Sequence, residues 1–158
     1  MEFDAIDLRL LDALQADASL SNQDLATKVA VSPATCLRRV KRLVDAGVIA
    51  RRVAILSADK LGAGLSAILE ITLDRQGAEH LDAFEVRAVQ EAAVQQCWRV
   101  SPGPDFVLVV QVADMPAYHA LTQRLLTQDA NVRNIKAFFG VKRAKFDTRI
   151  PLPSASGA

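Results

Sequence analysis

The stretch from Ser32 to Arg52, SPATCLRRVKRLVDAGVIARR, carries Arg38, Arg39, Lys41, Arg42, Arg51 and Arg52 against one acid, Asp45. The chain of 158 residues as a whole has a formal net charge of only +1. Guanidinium and ammonium groups massed in this way make charge-assisted hydrogen bonds to phosphate oxygens, and arginine also matches the O6/N7 edge of guanine. On a helical wheel at about 100° per residue, Leu43, Cys36, Val40, Val44 and Leu37 gather on one flank. Lys41, Arg38, Arg42 and Arg39 gather on the other, with Ala34 and Thr35 among them. A solvated helix face is the plain alternative, but such faces commonly mix both signs of charge. This one is almost purely cationic.

Other chemistry finds little support. Cys97, His80 and His119 are the nucleophile and base candidates, yet Cys97 falls in a strand-like stretch and the histidines in amphipathic helices, with no motif to orient them. There is no phosphate-cradling glycine loop and no metal-ligand spacing. No catalytic residue, metal or cofactor is therefore expected, and a small cysteine-dependent enzyme is the weakest alternative. Cys36 and Cys97 are too few for a disulfide framework, which suits a reducing, cytoplasmic location. The start, MEFDAIDLRL, lacks the pattern of a signal peptide, and FVLVVQV is too short to span a bilayer, so no membrane partner is expected.

The basic residues need helices to present them. Ile6, Leu10, Leu11 and Leu14 recur at helical spacing from Asp4 to about Ala16, with acids on the other face. Ser21 and Asp24 resemble a capping box ahead of a short helix carrying Leu25 and Val29 inward. Ser32-Pro33 then reads as N-cap and first turn of a third helix that should stop at Gly47. Two short helices and a tight connection have the shape of a helix-turn-helix. In that motif the N-terminal residues of the second helix of the pair reach base edges. Here these would be Pro33, Ala34, Thr35 and Arg38, with the capping Ser32 also counted among the DNA-binding residues. Arg39, Lys41, Arg42, Arg51 and Arg52 are placed to neutralise phosphates, and Cys36 to pack in the core.

Beyond a linker at 51–64 the period changes. Ala67, Leu69, Ile71 and Leu73 alternate with Ile68, Glu70 and Thr72 as in a strand. Leu81, Phe84 and Val89 fit a helix over about Ala78 to Ala92; VQQCWRV and FVLVVQV are strands; MPAYHALTQRLL is a helix with Leu121 and Leu125 inward. Ile135, Ala137, Phe139 and Val141 mark a last strand. The order is βαββαβ, the ferredoxin-like arrangement, over 65–150. Such a sheet has helices on one face, and a second copy of the chain is the simplest cover for the other. The expected architecture is α+β: a helix-turn-helix domain at 1–50, the linker, the βαββαβ domain, and a flexible tail at 151–158. Charge is sorted along the chain, +1 over 1–56, −5 over 57–131 and +5 over 132–158. The last segment offers a second DNA-facing rim or merely balances the acidic middle.

The stretches DLRLLDALQADASLSNQDLATKVAVSPATCLRRVKRLVDAGVI and DMPAYHALTQRLL, with Ser-Pro-x-x-Cys-x-x-Arg-Val-x-x-Leu from Ser32 to Leu43, resemble the Lrp/AsnC family of transcription regulators from about Asp4 to Leu152. The resemblance implies a winged helix-turn-helix that binds double-stranded DNA and a second domain that oligomerises and senses a small molecule, usually an amino acid. It further implies homodimers assembling toward octamers. The effector would lie near the loop after the second strand and the last strand, which implicates Ser101, Gly103, Asp105, Phe106, Ala137 and Phe138. The family's loop commonly reads Gly-x-x-Asp, whereas VSPGPDFVLV brings Gly103 and Asp105 one residue closer. IKAFFG lacks the hydroxyl that many members carry on the last strand, so Ala137 and Phe138 point to an apolar or aromatic effector, a changed stereochemical demand, or lost binding. Asp105 is either the anchor for an ammonium group or a polar loop cap. The remaining alternative is a ligand-binding oligomerisation module that never touches DNA.

Overall fold

The computed structural model describes residues 2–62 and 64–153. They form two compact units: the chain up to Ile55 together with the segment from Lys145 onward, and Leu56 to Ala144. In the first unit, helix α1 spans Ala5–Ala16, α2 Asn22–Val29 and α3 Pro33–Asp45. Each begins on a side-chain cap that satisfies a free amide of its first turn. Asp4 Oδ1 accepts from the amides of Ile6 and Asp7 at 3.0 and 2.9 Å, Ser21 Oγ from Asp24 at 3.1 Å, and Ser32 Oγ from Thr35 at 3.2 Å, with Pro33 following. α2 ends on Ala30 at φ +59°, a left-handed position that turns the chain into α3. α3 ends at Asp45 and the chain leaves it through the expected stop residue Gly47, φ +71°, with the Val48 amide returning to the Leu43 carbonyl at 3.0 Å.

Leu10, Ala13, Leu14, Leu25, Ala26, Val29, Cys36 and Val40 form the core of this unit. Leu43 is also fully buried, but Leu37 and Val44, expected on the same apolar flank, are exposed. The docked stripe of α3 is narrower than its apolar stripe. A second departure concerns the end of the chain. The Gln15 side chain bonds Ile150 twice, donating to its carbonyl and accepting from its amide at 3.1 Å each, and Arg149 pairs with Asp12 at 2.7 Å. Residues from Lys145, expected to close the second domain, thus pack with the first unit. Of the expected tail, 151–153 are described, with Leu152 half-buried; 154–158 lie outside the described residues.

The second unit opens with a short 3₁₀ turn at Asp59–Leu61 in the expected linker. Strands β1 (Leu65–Leu73), β2 (Val94–Arg99), β3 (Phe106–Val112) and β4 (Val132–Phe139) form one antiparallel sheet in the order β2-β3-β1-β4. Helices α4 (Ala78–Gln90) and α5 (Met115–Thr122) connect them, giving the expected βαββαβ ferredoxin-like unit. Ala67, Leu69, Ile71 and Leu73 on β1 and Phe106, Leu108, Val110 and Val112 on β3 share a core with Phe84, Ala88, Tyr118 and Leu121. On α4, Ala88 rather than Val89 turns inward, because 81, 84 and 88 follow one helical face and Val89 lies a further 100° round. α5 continues as a π-helical turn, Gln123–Thr127, whose wider winding lets the consecutive Leu125 and Leu126 both face the core. Val141 lies beyond β4 and is fully exposed.

The register fixes which residues share the other face. Ile68 pairs with Phe138 and Trp98 with Val107, all pointing away from the helices. Ile68, Trp98 and Phe138 are about half exposed, an apolar patch on an otherwise ordinary sheet.

Candidate functional site

α3 brings most of the expected nucleic-acid residues to one surface. Ser32, Pro33, Ala34, Arg38, Lys41 and Arg42 are exposed and Thr35 is half-exposed, held near the helix start by a hydrogen bond from Ser32 Oγ to its hydroxyl at 2.9 Å. Arg38 is exposed and makes no ion pair among the described residues. Lys41 is paired with Asp45 at 2.6 Å, an exposed i,i+4 contact worth only about 0.3–0.5 kcal/mol and readily exchanged for a phosphate. Arg51 and Arg52 follow the helix and are exposed.

Arg39 departs from its expected role. Its Nη1 sits 2.7 Å from Asp4 and 3.0 Å from Asp7, and its side chain is only 18% exposed. The two carboxylates hold the guanidinium more firmly protonated than usual. Asp4 is in turn held below the usual carboxylate range, first by the Asp7 amide it caps and then by Arg39. Arg39 therefore braces α3 against α1 instead of standing ready for a phosphate. Arg42 shares in this network through Nη2, 2.5 Å from Asp7 Oδ2, while the side chain remains 47% exposed.

Asp7 is the residue that sequence reasoning missed. As an acid of α1 it was expected on the solvated face, yet it is 1% exposed. It occupies the third helical position, where its carboxylate also accepts from the Asp4 amide at 3.3 Å, completing a capping box. The Asp4-x-x-Asp7 spacing carried that signal, since a capping box needs an acceptor three residues beyond the cap. Its two arginine partners carried none. The fit is not perfect, for Arg39 Nε is buried with no partner among the described residues, at a cost of about 1–3 kcal/mol.

The expected effector residues divide. Ser101 and Gly103 lie exposed in the loop between β2 and β3, with Gly103 at φ +125° and a cis peptide at Ser101–Pro102. Asp105 Oδ2 accepts from the Leu73 amide at 2.7 Å and from Gln76 Nε2 at 3.2 Å. Its backbone bonds Ile71 and Val100. The carboxylate thus ties the start of β3 to the end of β1, while the backbone carbonyl joins the end of β2, which is the loop-cap reading of this residue. Phe106 is fully buried with its ring 4.7 Å from Phe84, so it is a core residue and not a ligand contact. Ala137 pairs with Leu69 and Phe138 with Ile68, so the two point to opposite faces of the sheet and cannot line one pocket in one protomer.

Burial pushes the thiols of Cys36 and Cys97 up, which disfavours the nucleophilic thiolate. Among the described residues no three His, Cys, Asp or Glu side chains come together to hold a metal ion, and no helix is long and apolar enough to cross a membrane.

Comparison with known proteins assigns both parts of the chain. A family model for winged helix-turn-helix DNA-binding domains matches residues 3–50, and one for the Lrp/AsnC ligand binding domain matches residues 66–150. A leucine-responsive regulatory protein of Haemophilus influenzae is 38% identical over 144 residues, covering 90% of this chain and 86% of its own length. An AsnC family transcriptional regulator from Agrobacterium tumefaciens superposes with a TM-score of 0.88 at 31% identity, covering 94% of this chain and 97% of its own. A transcriptional regulator from Neisseria meningitidis, solved in complex with L-Met, gives 0.88 at 29% identity over 94% and 96%.

Proposed function

Because the chain belongs to the Lrp/AsnC family of transcriptional regulators, with a winged helix-turn-helix DNA-binding domain and a ligand-binding domain, we propose how its residues divide that work. α3 lies in the major groove. Ser32, Pro33, Ala34, Thr35 and Arg38 face the base edges, while Lys41, Arg42, Arg51 and Arg52 neutralise phosphates. The observation that carries this reading is Arg38: exposed, unpaired among the described residues, and on the first exposed turns of the capped helix. Arg39 is removed from the DNA contacts because it is committed to Asp4 and Asp7.

The second domain takes an amino acid with an apolar or aromatic side chain. Support comes from the leucine-responsive relative and the neighbour solved with L-Met. The exposed loop at Ser101 and Gly103 is the part of the expected site that remains open to a ligand, with Asp105 fixing its shape. The Ile68, Trp98 and Phe138 face is covered by a second copy, and the resulting dimers assemble toward octamers in the cytoplasm. Two copies of α3 would then meet successive major grooves about 34–36 Å apart.

Hydroxyl-radical footprinting on a duplex selected by the protein from a random-sequence pool tests the arrangement. Protection should fall in two blocks one helical turn apart, and Arg38→Ala should abolish it at equal protein concentration. A single continuous block untouched by Arg38→Ala would overturn the assignment of α3.

A further inference from the structure

We propose that Asp7 is a positioning residue for DNA recognition: from the first turn of α1 it sets the rotation of α3 and presents Arg42 already oriented. The inference rests on the reading of α3 as the helix that meets the duplex. Asp7 is a fully buried charged side chain of the helix-turn-helix unit, and each of its oxygens is taken by a different arginine of α3. Oδ1 holds Arg39 and Oδ2 holds Arg42, three residues apart and therefore on one face of the helix. Turning α3 by one residue, about 100°, would carry both guanidinium groups away from the carboxylate.

The apolar contacts set that angle less firmly. The α3 side chains buried in the core are Cys36, Val40 and Leu43, two of them small, while Leu37 and Val44 remain exposed. A buried ion pair is seldom a strong source of stability, since desolvation offsets the attraction; in some proteins its role is to fix one geometry, and that is the role proposed for Asp7. Arg42 is bound through Nη2 alone and stays half exposed. Its planar fork has further donors along another edge, so one guanidinium can bridge Asp7 and a phosphate, its rotamers already restricted.

Simple electrostatics gives the opposite sign for the test. Asp7→Asn adds one net positive charge beside the duplex, which by counterion release alone would tighten binding to every sequence and steepen its salt dependence. The experiment compares the full-length wild type, Asp7→Asn, Arg42→Lys and Arg38→Ala on a duplex selected by the wild type and on a random-sequence duplex, across a salt series. Circular dichroism checks that each variant is folded. The positioning role requires Asp7→Asn to lower affinity for the selected duplex about tenfold while affinity for the random duplex holds or rises. Arg42→Lys keeps the charge, sits at a half-exposed site and should reduce the selected-to-random ratio in the same direction, so it decides the matter if Asp7→Asn does not fold. Parallel changes on both duplexes, or an unchanged ratio in either folded variant, would overturn the proposal. If Arg38→Ala lowers the ratio while the other two do not, the clamp fails and the reading of α3 stands; if Arg38→Ala also leaves it unchanged, that reading fails too.

Discussion

Asp105 Oδ2 lies 2.7 Å from the backbone amide of Leu73, joining the start of β3 to the end of β1 across the loop expected to meet the effector. Removing that acceptor strands a half-buried amide. Asp105→Ala should therefore lower unfolding stability by about 1–3 kcal/mol, while Asp105→Asn, which keeps an acceptor oxygen, should recover most of it. Chemical denaturation of the three proteins measures this. An amino acid that raises the melting temperature of the wild type should still raise that of Asp105→Asn. Loss of the ligand response with unchanged stability would return Asp105 to the anchor role.

The α2–α3 turn asks Ala30 to hold φ +59°, a conformation that a Cβ disfavours. Ala30→Gly should stabilise the helix-turn-helix unit by about 0.5–1 kcal/mol despite the looser unfolded chain, because relief of the left-handed strain exceeds the entropy cost. A raised denaturation midpoint with an unchanged slope is the expected result. A lowered midpoint would mean that the entropy cost prevails.

Much of this fold was legible because its signals are local. Ser32-Pro33, the Gly47 stop and the alternation of Ala67, Leu69, Ile71 and Leu73 each depend on neighbours within one or two turns, and each element appears where those residues put it. What stayed hidden depends on distant partners. Asp7 meets Arg39 and Arg42 across 32 and 35 residues, and Gln15 meets Ile150 across 135. Sequence spacing could not distinguish a buried acid from a solvated one, nor a docked end of the chain from a loose one. Phe106 shows the same limit at the effector loop: the family resemblance implicated it in the effector site, while the parity of β3 sends it into the core.

Acid should weaken the α1 N-terminus. The Asp4 carboxyl lies below its ordinary value in the folded protein because it caps the Asp7 amide and pairs with Arg39. A depressed folded value means that the stabilisation is present above the unfolded carboxylate range, about pH 4, and is lost as pH falls through the folded value. Asp4→Asn retains a capping oxygen and removes the charge. Its thermal stability should lie below the wild type at pH 7 and converge with it in acid. Curves that remain parallel from pH 7 to pH 2 would show that the charge of Asp4 contributes nothing.

Trp98→Asp places a carboxylate on the edge strand β2, within the exposed sheet face that also carries Ile68 and Phe138. If a second copy covers this face, a desolvated unpaired charge there should dissociate the assembly. Sedimentation velocity should then report a monomer while circular dichroism stays native. An unaltered sedimentation coefficient would place the dimer contact elsewhere.

The cationic flank of α3 is tested most directly by the slope of log affinity against log salt on the selected duplex, for the wild type and for Lys41→Ala. Each phosphate contact contributes about 0.9 to that slope on B-form DNA. The expected result is a steep negative slope equivalent to several phosphates, shallower by about one contact when Lys41 is removed. Affinity that ignores salt, or a slope that Lys41→Ala leaves unchanged together with unchanged affinity, would contradict the account.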